Sequence, residues 1–142
     1  MNIGFDLHGV IDSNPPVMRD MMRCLTRNNI SVYVISGSPK KEILEELLEY
    51  GIHYRFHYTD VLSIVDTLKS DNINMWQDEK NRWYCKDEYW WPVKGRFCRE
   101  YKIDWLFDDC ERYKEYLPKT TKFIHIRINQ NERQKRQNSQ TT

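Results

Sequence analysis

The feature that most constrains this chain is the alternation of short apolar segments with segments of helical periodicity. The predicted strands cover Met1 to Phe5, Ser31 to Ile35, Ile52 to Tyr58, Ile103 to Phe107 and Lys122 to Ile128. Helical patterns fall between them, and strands that alternate with helices favour a mainly parallel sheet with helices on both faces. We therefore predict an α/β domain with a Rossmann-like, doubly wound parallel sheet of about five strands in a three-layer αβα arrangement.

Capping residues mark the predicted helices. Asn14 precedes two prolines and can cap the first helix. The second helix follows Pro39 and ends before Gly51, where a glycine just past a helix end belongs. Its predicted buried stripe consists of Ile43, Leu44, Leu47 and Leu48. A third helix is predicted from about Asp60 to Lys69, and a fourth from Pro92.

Residues 72–91 interrupt this alternation. They are rich in tryptophan and tyrosine, and Asp78-Glu79-Lys80-Asn81 resembles a turn between two short strands. The stretch therefore predicts a short aromatic β-hairpin inserted into the domain. Aromatic residues in such a segment are more often core than binding surface, and base stacking is the functional alternative.

Composition is that of one globular domain. The chain has 142 residues, of which 39% are hydrophobic and 30% are charged. Its net charge of +1 gives no electrostatic argument for a nucleic-acid or membrane partner. The polar stretch 129–142 lacks periodicity and is predicted to be a disordered tail, which leaves residues 1–128 as a single domain.

The sequence also bears on the cellular compartment. The four cysteines include no Cys-x-x-Cys pair, which argues against a zinc site. The N-terminus enters the first strand directly and shows neither the basic region nor the apolar core of a signal peptide. No apolar run approaches the ~20 residues that span a bilayer. We therefore predict a cytoplasmic protein with reduced thiols and no membrane partner.

The first predicted strand ends at an acidic residue. Asp6 follows this strand, and Gly9 permits a tight backbone whose amides near Leu7 and His8 can face an anion. Open α/β sheets place their chemistry at the carboxyl ends of their strands. Asp6 is therefore a candidate catalytic residue. The alternative is that Asp6 and Asp12 only cap a turn and a helix.

Further polar residues fall at comparable places. Ser36 and Gly37 follow the second strand, Lys94 lies near the start of a helix, and Asp108 and Asp109 follow the fourth strand. In a doubly wound sheet these residues can converge on one crevice with the first strand end. A carboxylate can attack phosphorus, a hydroxyl and a lysine can bind phosphoryl oxygens, and paired carboxylates can hold Mg²⁺. Each residue alone has a plainer interpretation, as a cap or as a solvated helix residue.

Together these motifs resemble the haloacid dehalogenase (HAD)-like superfamily of phosphohydrolases, in its compact type without a cap domain. The likeness covers about residues 2–128 and rests on Phe5-Asp6-Leu7-His8-Gly9-Val10, Val34-Ile35-Ser36-Gly37, Lys94 and Leu106-Phe107-Asp108-Asp109. The resemblance implies that Asp6 is the nucleophile, and it implies a phosphorylated substrate, either a small molecule or a nucleic-acid end. The implied phosphate ligands are Ser36, Gly37 and Lys94. The implied Mg²⁺ ligands are Asp6, the backbone carbonyl of His8, Asp108 and Asp109.

Position 8 departs from the family pattern, which has a second aspartate there as general acid and base. His8 can do this work because its unperturbed pKa of about 6.5 lies near neutrality. It can equally mark slow or absent turnover, or serve only a structural role. We therefore predict a Mg²⁺-dependent phosphomonoester hydrolase that acts through an aspartyl-phosphate. The alternatives are a non-catalytic or very slow phosphate- or nucleic-acid-binding module, and a polynucleotide 3′-phosphatase-like enzyme.

Overall fold

The structure is a computed structural model and describes residues 1–127. Its strands are β1 (Asn2–Asp6), β2 (Ser31–Ser36), β3 (Asp60–Ser63), β4 (Trp76–Gln77), β5 (Trp83–Tyr84), β6 (Trp105–Asp108) and β7 (Lys122–His125). Its α-helices are α1 (Pro15–Arg27), α2 (Lys40–Glu49), α3 (Ile64–Ser70), α4 (Asp87–Trp90) and α5 (Val93–Glu100). Two 3-10 helices cover Ile11–Ser13 and Glu111–Tyr116. The predicted disordered tail, residues 129–142, lies outside the described residues.

Five strands form a parallel sheet in the order β3-β2-β1-β6-β7. From β1 the chain builds outward through β2 and β3, and then it crosses back to add β6 and β7 on the other side of β1. The direction of winding therefore reverses between β1 and β6. In open α/β sheets, ligands bind outside the carboxyl ends of the strands at such a point.

Hydrophobic cores lie on both faces of this sheet, because side chains alternate between faces along a strand. One core joins the sheet to the first two helices through Phe5, Val34, Met22, Ile43 and Leu47. The other joins the sheet to α3 and α5 through Ile35, Leu106, Leu68 and Phe97. This arrangement confirms the predicted α/β fold with a five-strand parallel sheet and helices on both faces.

The ends of the first two helices follow the predicted signals. The side chain of Asn14 accepts a hydrogen bond from the Val17 amide at 3.4 Å and so caps α1. Gly51 has a φ of 71° and its amide donates to the carbonyl of Leu48 at 3.0 Å, while the Ile52 amide donates to Leu47 at 2.9 Å. These two bonds form a Schellman motif, which satisfies the last carbonyls of α2.

The predicted buried stripe of α2 holds only in part. Ile43 and Leu47 are buried, and Leu44 packs partly against the core, but Leu48 is exposed. The side chain at position 48 therefore lies beyond the apolar stripe that faces the sheet.

The prediction of a third strand from Ile52 to Tyr58 is wrong. The chain turns there, with Arg55 at a φ of 67° and its amide donating to the Tyr58 carbonyl at 2.9 Å. The strand lies further along, at Asp60–Ser63, where a helix was expected to begin. Because so short an apolar run has no distinct periodicity, its sequence does not separate a buried strand from the start of a helix.

The aromatic insert forms the predicted hairpin, in which β4 pairs with β5 in antiparallel fashion. The short helix α4 follows it and was not predicted. The segment after β6 is a 3-10 helix where a helix had been expected. Within residues 1–127, no helix has the length and apolar character needed to cross a membrane.

Candidate functional site

The carboxyl ends of three neighbouring strands bring predicted site residues to one place. Asp6 is the last residue of β1, Ser36 the last of β2 and Asp108 the last of β6. Lys94, in the first turn of α5, reaches the same region. All four side chains are buried, with exposed fractions between 0% for Asp108 and 8% for Asp6. Charged groups so far from water persist in proteins only when they are paired or bind a cation.

Lys94 is paired with two of the carboxylates. Its Nζ lies 3.2 Å from Oδ1 of Asp6 and 2.6 Å from Oδ2 of Asp108. Burial by itself lowers the pKa of Lys94, but the two carboxylates outweigh it and raise that pKa above its ordinary value. Lys94 is therefore a permanent ammonium group at neutral pH.

The pKa of Asp6 is raised as well, which favours the neutral form of this carboxyl group. Burial raises the pKa of Asp6 well above its ordinary value, and the charges of Asp108 and Asp109 add to this effect, while Lys94 opposes it. Hydrogen bonding with the Asp109 carboxyl group raises the pKa of Asp6 further. A hydrogen bond between two carboxyl groups needs one proton, so the pair resists full ionisation.

Asp6, Asp108 and Asp109 together form an oxygen-rich cluster, the triple carboxylate. Each offers one oxygen, and these oxygens all lie within 4.8 Å of one another. Oδ1 of Asp108 accepts a hydrogen bond from the Cys110 amide at 2.9 Å, which helps to fix that carboxylate. When all three residues are ionised, the contact with Lys94 offsets only part of their charge. The arrangement therefore suits a divalent cation that prefers oxygen ligands.

Gly9 allows the loop after β1 to approach this cluster. Its φ is 101°, and a side chain there would overlap the carboxylate of Asp109. The Gly9 amide donates to Oδ1 of Asp12 at 2.8 Å, and the Asp12 amide donates to the Leu7 carbonyl at 3.0 Å. Asp12 therefore braces the turn, which is the capping role that the sequence offered as an alternative.

His8 is directed toward helix α2. Its Nε2 lies 3.0 Å from Oε1 of Glu46, whose other oxygen accepts a hydrogen bond from Tyr50 at 3.1 Å. The hydrogen bond with Glu46 raises the pKa of His8 against the opposing effect of burial. Glu46 was not predicted as a site residue. It is one of several glutamates in α2, and no spacing in the sequence distinguishes it.

A cavity of about 460 Å³ opens next to these residues. Among its lining residues are Asp6, His8, Ser36, Gly37 and Lys94. The predicted nucleophile and the predicted phosphate ligands thus share one open space. Asp108 and Asp109 are not part of this lining.

Two aromatic residues connect the loop after β2 to Lys94. A side chain on Gly37 would come within 2.8 Å of the Trp90 ring, so the glycine allows the indole to pack closely there. The indole nitrogen of Trp90 donates to the hydroxyl of Tyr113 at 3.1 Å, and the Tyr113 ring lies 4.2 Å from Nζ of Lys94. Tyr113 was not predicted as a site residue.

Ser36 is held at the end of β2 by a short network. Its hydroxyl oxygen accepts a hydrogen bond from the Ser38 amide at 3.3 Å, and Ser63 donates to the Ser38 carbonyl at 2.6 Å. The loop is thereby fixed between the ends of β2 and β3. Ser36 is predicted to donate to a phosphoryl oxygen, and the His8 carbonyl is predicted to bind a metal. Both roles stay predictions.

Comparison of the chain with protein-family models, with curated proteins and with solved structures finds no match.

Proposed function

We propose that this protein is a compact HAD-like phosphatase, a Mg²⁺-dependent phosphomonoester hydrolase that acts through an aspartyl-phosphate on Asp6. The observation that carries this proposal is the triple carboxylate, whose oxygens lie within 4.8 Å of one another beside the ammonium of Lys94. This cluster lies where the sheet reverses its winding, which is the usual place for a ligand in such a sheet. The proposed enzyme works on phosphorylated substrates in the cytoplasm.

The residues present fit Mg²⁺. The cluster offers only carboxylate oxygens, which hard cations prefer, and its negative charge exceeds the positive charge of Lys94. We propose Asp6, Asp108, Asp109 and the carbonyl of His8 as the ligands. When bound, Mg²⁺ would offset the charge that develops on the phosphoryl oxygens.

In the first proposed step, a carboxylate oxygen of Asp6 attacks phosphorus and the bond to the ester oxygen breaks. Lys94 lies 3.2 Å from Asp6, so its ammonium group is placed to hold a phosphoryl oxygen beside the nucleophile. Ser36 and Gly37 line the same cavity, and we propose that the Ser36 hydroxyl and the Gly37 backbone complete the phosphate site. The second step is attack of water on the phosphorus, which releases phosphate and regenerates Asp6.

His8 is the proposed general acid and base. Its raised pKa favours the protonated ring, which can donate a proton to the departing ester oxygen. The neutral ring left behind can then accept a proton from the attacking water. Glu46 supports this role because its contact at 3.0 Å orients the imidazole.

One observation favours a second candidate, a non-catalytic or very slow binding module. The pairing of His8 with Glu46 can serve solely to attach the loop to α2, and it leaves no carboxylate at the family's acid-base position. Such a module would keep the phosphate and metal sites without efficient turnover.

A panel of phosphomonoesters tests the two candidates. We expect the wild type to hydrolyse at least one ester with Mg²⁺ and to lose that activity with EDTA. Asp6→Asn removes the attacking charge with little change in shape, so its activity should fall to background, whereas Asp20→Asn, at an exposed site on α1, should behave as wild type. Full activity of Asp6→Asn would rule out the covalent mechanism. Mg²⁺-dependent binding of phosphate without turnover would favour the binding module.

A further inference from the structure

The aromatic hairpin supplies part of the wall of the candidate active site. The residues of the turn and of the following strand that line the cavity are Lys80, Asn81, Arg82 and Trp83. The cavity lining therefore joins the carboxyl edge of the sheet to a segment distant from it in sequence. A substrate that places its phosphoryl group at Asp6 would meet this hairpin with the rest of its structure.

The hairpin turn is held in one shape by a single carboxylate. One oxygen of Asp78 accepts hydrogen bonds from the amides of Lys80 and Arg82, each at 2.9 Å. The other oxygen accepts from Nε of Arg82 at 2.7 Å and from the Tyr84 hydroxyl at 3.1 Å. These bonds fix the backbone of the turn before any ligand arrives, which lowers the entropy cost of binding.

The cavity combines aromatic rings with polar groups. Trp83, Trp90 and Tyr113 line it. Nζ of Lys69 covers one face of the Trp83 ring at 3.6 Å from the ring centre, so a ligand would stack on the other face. Asn81 and Arg82 add hydrogen-bonding groups beside these rings. A flat ligand with a polar edge can use both the rings and the polar groups, because its face can stack on an indole while its edge forms hydrogen bonds.

We infer that the substrate is a phosphomonoester whose alcohol part carries a nucleobase, and that this base packs against Trp83 while the phosphoryl group lies at Asp6, Ser36 and Lys94. The inference rests on the proposed function for the position of the phosphoryl group. A volume of about 460 Å³ falls within the ~300–1,000 Å³ of ligand pockets. A free nucleoside monophosphate and the phosphorylated end of a nucleic acid share this chemistry.

Binding to a protein that cannot turn over separates this inference from catalysis. In an Asp6→Asn background with Mg²⁺, calorimetry would compare ribose 5-phosphate, 5′- and 3′-nucleoside monophosphates, and a short oligonucleotide with a terminal phosphate. We expect the nucleotides to bind at least about tenfold more tightly than ribose 5-phosphate, a difference of ~1.4 kcal/mol, because only they can stack a base on the indole. Tighter binding of the oligonucleotide would assign the nucleic-acid end as the source of the phosphate.

Two tryptophans of the same hairpin give a matched pair of variants. Trp83→Ala should remove the preference for nucleotides and leave the affinity for ribose 5-phosphate unchanged. Trp83→Phe should keep most of the preference for nucleotides. Trp76→Ala is the control, because Trp76 is half exposed on β4 and does not line the cavity. Melting curves would verify that each variant is folded.

The outcomes separate the two proposals. Equal affinity for ribose 5-phosphate and nucleotides in the parent protein, or an equal loss in Trp83→Ala and Trp76→Ala, would overturn the inference. Mg²⁺-dependent hydrolysis of ribose 5-phosphate by the wild type would in that case leave the proposed function standing. A nucleotide preference that depends on Trp83, without hydrolysis of any ester, would instead overturn the catalytic proposal and keep the base site.

Discussion

The ammonium of Lys94 lies 2.6 Å from a carboxylate oxygen of Asp108, and both side chains are almost wholly buried. Such a pair adds little to stability compared with apolar residues of similar volume, because two charges must leave water. Removal of one partner should lower stability strongly, because the remaining charge is then buried without a counter-ion. The folded state is therefore expected to depend on both partners of this buried pair being present.

Lys94→Met tests how strongly stability depends on the pairing of the buried charges. The change leaves Asp6 and Asp108 without their ammonium partner, so the free energy of unfolding should fall by ~3–5 kcal/mol in urea titrations. Lys94→Met combined with Asp108→Asn should recover part of the loss, because the double variant buries fewer unpaired charges. Lys40→Met, at an exposed lysine 3.9 Å from Asp60, should change stability by less than ~1 kcal/mol. A Lys94→Met protein as stable as wild type would contradict this account.

Mg²⁺ should stabilise the folded protein through the triple carboxylate. A ligand that binds only the native state raises its stability, by ~2.7 kcal/mol at a hundredfold excess over the dissociation constant. We therefore expect the melting temperature of wild type to rise with millimolar Mg²⁺. Asp109→Asn should lose most of this rise and should be no less stable than wild type without metal, because the substitution removes repulsion between neighbouring carboxylates.

The control for the metal experiment is Asp20→Asn, which lies on the exposed face of α1 and should show the wild-type shift. Identical melting curves for wild type with Mg²⁺ and with EDTA would show that the cluster does not hold the ion.

Variants at position 8 test the role proposed for His8, where the sequence departs from the HAD-like pattern that it resembles. His8→Ala should slow turnover by about 100- to 10,000-fold, the usual range for loss of a general acid or base. Attack by Asp6 on phosphorus needs no base, so an activated ester such as p-nitrophenyl phosphate should still give a burst of one equivalent in stopped-flow experiments. His8→Asp should match or exceed wild type.

Glu46→Gln gives an intermediate case at the same site, because it keeps a hydrogen-bond acceptor for His8 and removes the charge. We expect a smaller loss of turnover than in His8→Ala. Equal turnover of natural esters by wild type and His8→Ala would remove the imidazole from the mechanism and leave position 8 with its carbonyl alone.

His57 should make stability depend on pH. Its side chain is buried, and its Nδ1 accepts a hydrogen bond from the His53 amide at 2.9 Å, which requires a neutral nitrogen. Burial lowers the pKa of His57, and the nearby His53, Arg19 and Arg23 lower it further. Because the unfolded chain binds the proton more readily than the folded one, this residue contributes stability above about pH 6.5, and the contribution is lost as pH falls below it.

Urea titrations from pH 7.5 to pH 5 would measure this dependence. His57→Gln should flatten the fall in the free energy of unfolding relative to wild type over that range. Parallel pH profiles for the two proteins would show that another group is responsible.

The sequence predicted the convergence of Asp6, Ser36 and Asp108 better than it predicted the limits of the elements around them. Asp6, Ser36 and Asp108 were found because each ends an apolar strand, and parallel strands bring such ends together whatever their exact limits. Strand β3 was misplaced because Tyr54 and Phe56 have the side chains of a strand, and only the turn closed by Arg55 and Tyr58 excludes one.

Contacts between distant segments could not be predicted from the sequence. The pairing of His8 with Glu46 depends on how α2 packs on the sheet, and the position of Trp83 depends on where the hairpin folds back. Neither the His8–Glu46 pairing nor the position of Trp83 has a signal in the local sequence. Leu48 shows the same limit on a smaller scale, because the width of the covered stripe on α2 depends on the neighbouring elements and not on the helix itself.

The strand order also bears on how the protein acquires its chemistry as it folds. The segment from β1 to α3 can form three adjacent strands by short steps along the chain, and it contains Asp6 and Ser36. Lys94 lies in the crossover segment, and Asp108 and Asp109 follow it at the end of β6. They reach the site only when β6 pairs with β1, a contact of high sequence separation that forms slowly. A nascent chain that ends before α5 thus carries the proposed nucleophile without its ammonium partner or its fellow carboxylates. The proposed phosphoryl-transfer site would therefore be completed late in folding, when β6 and β7 dock against β1.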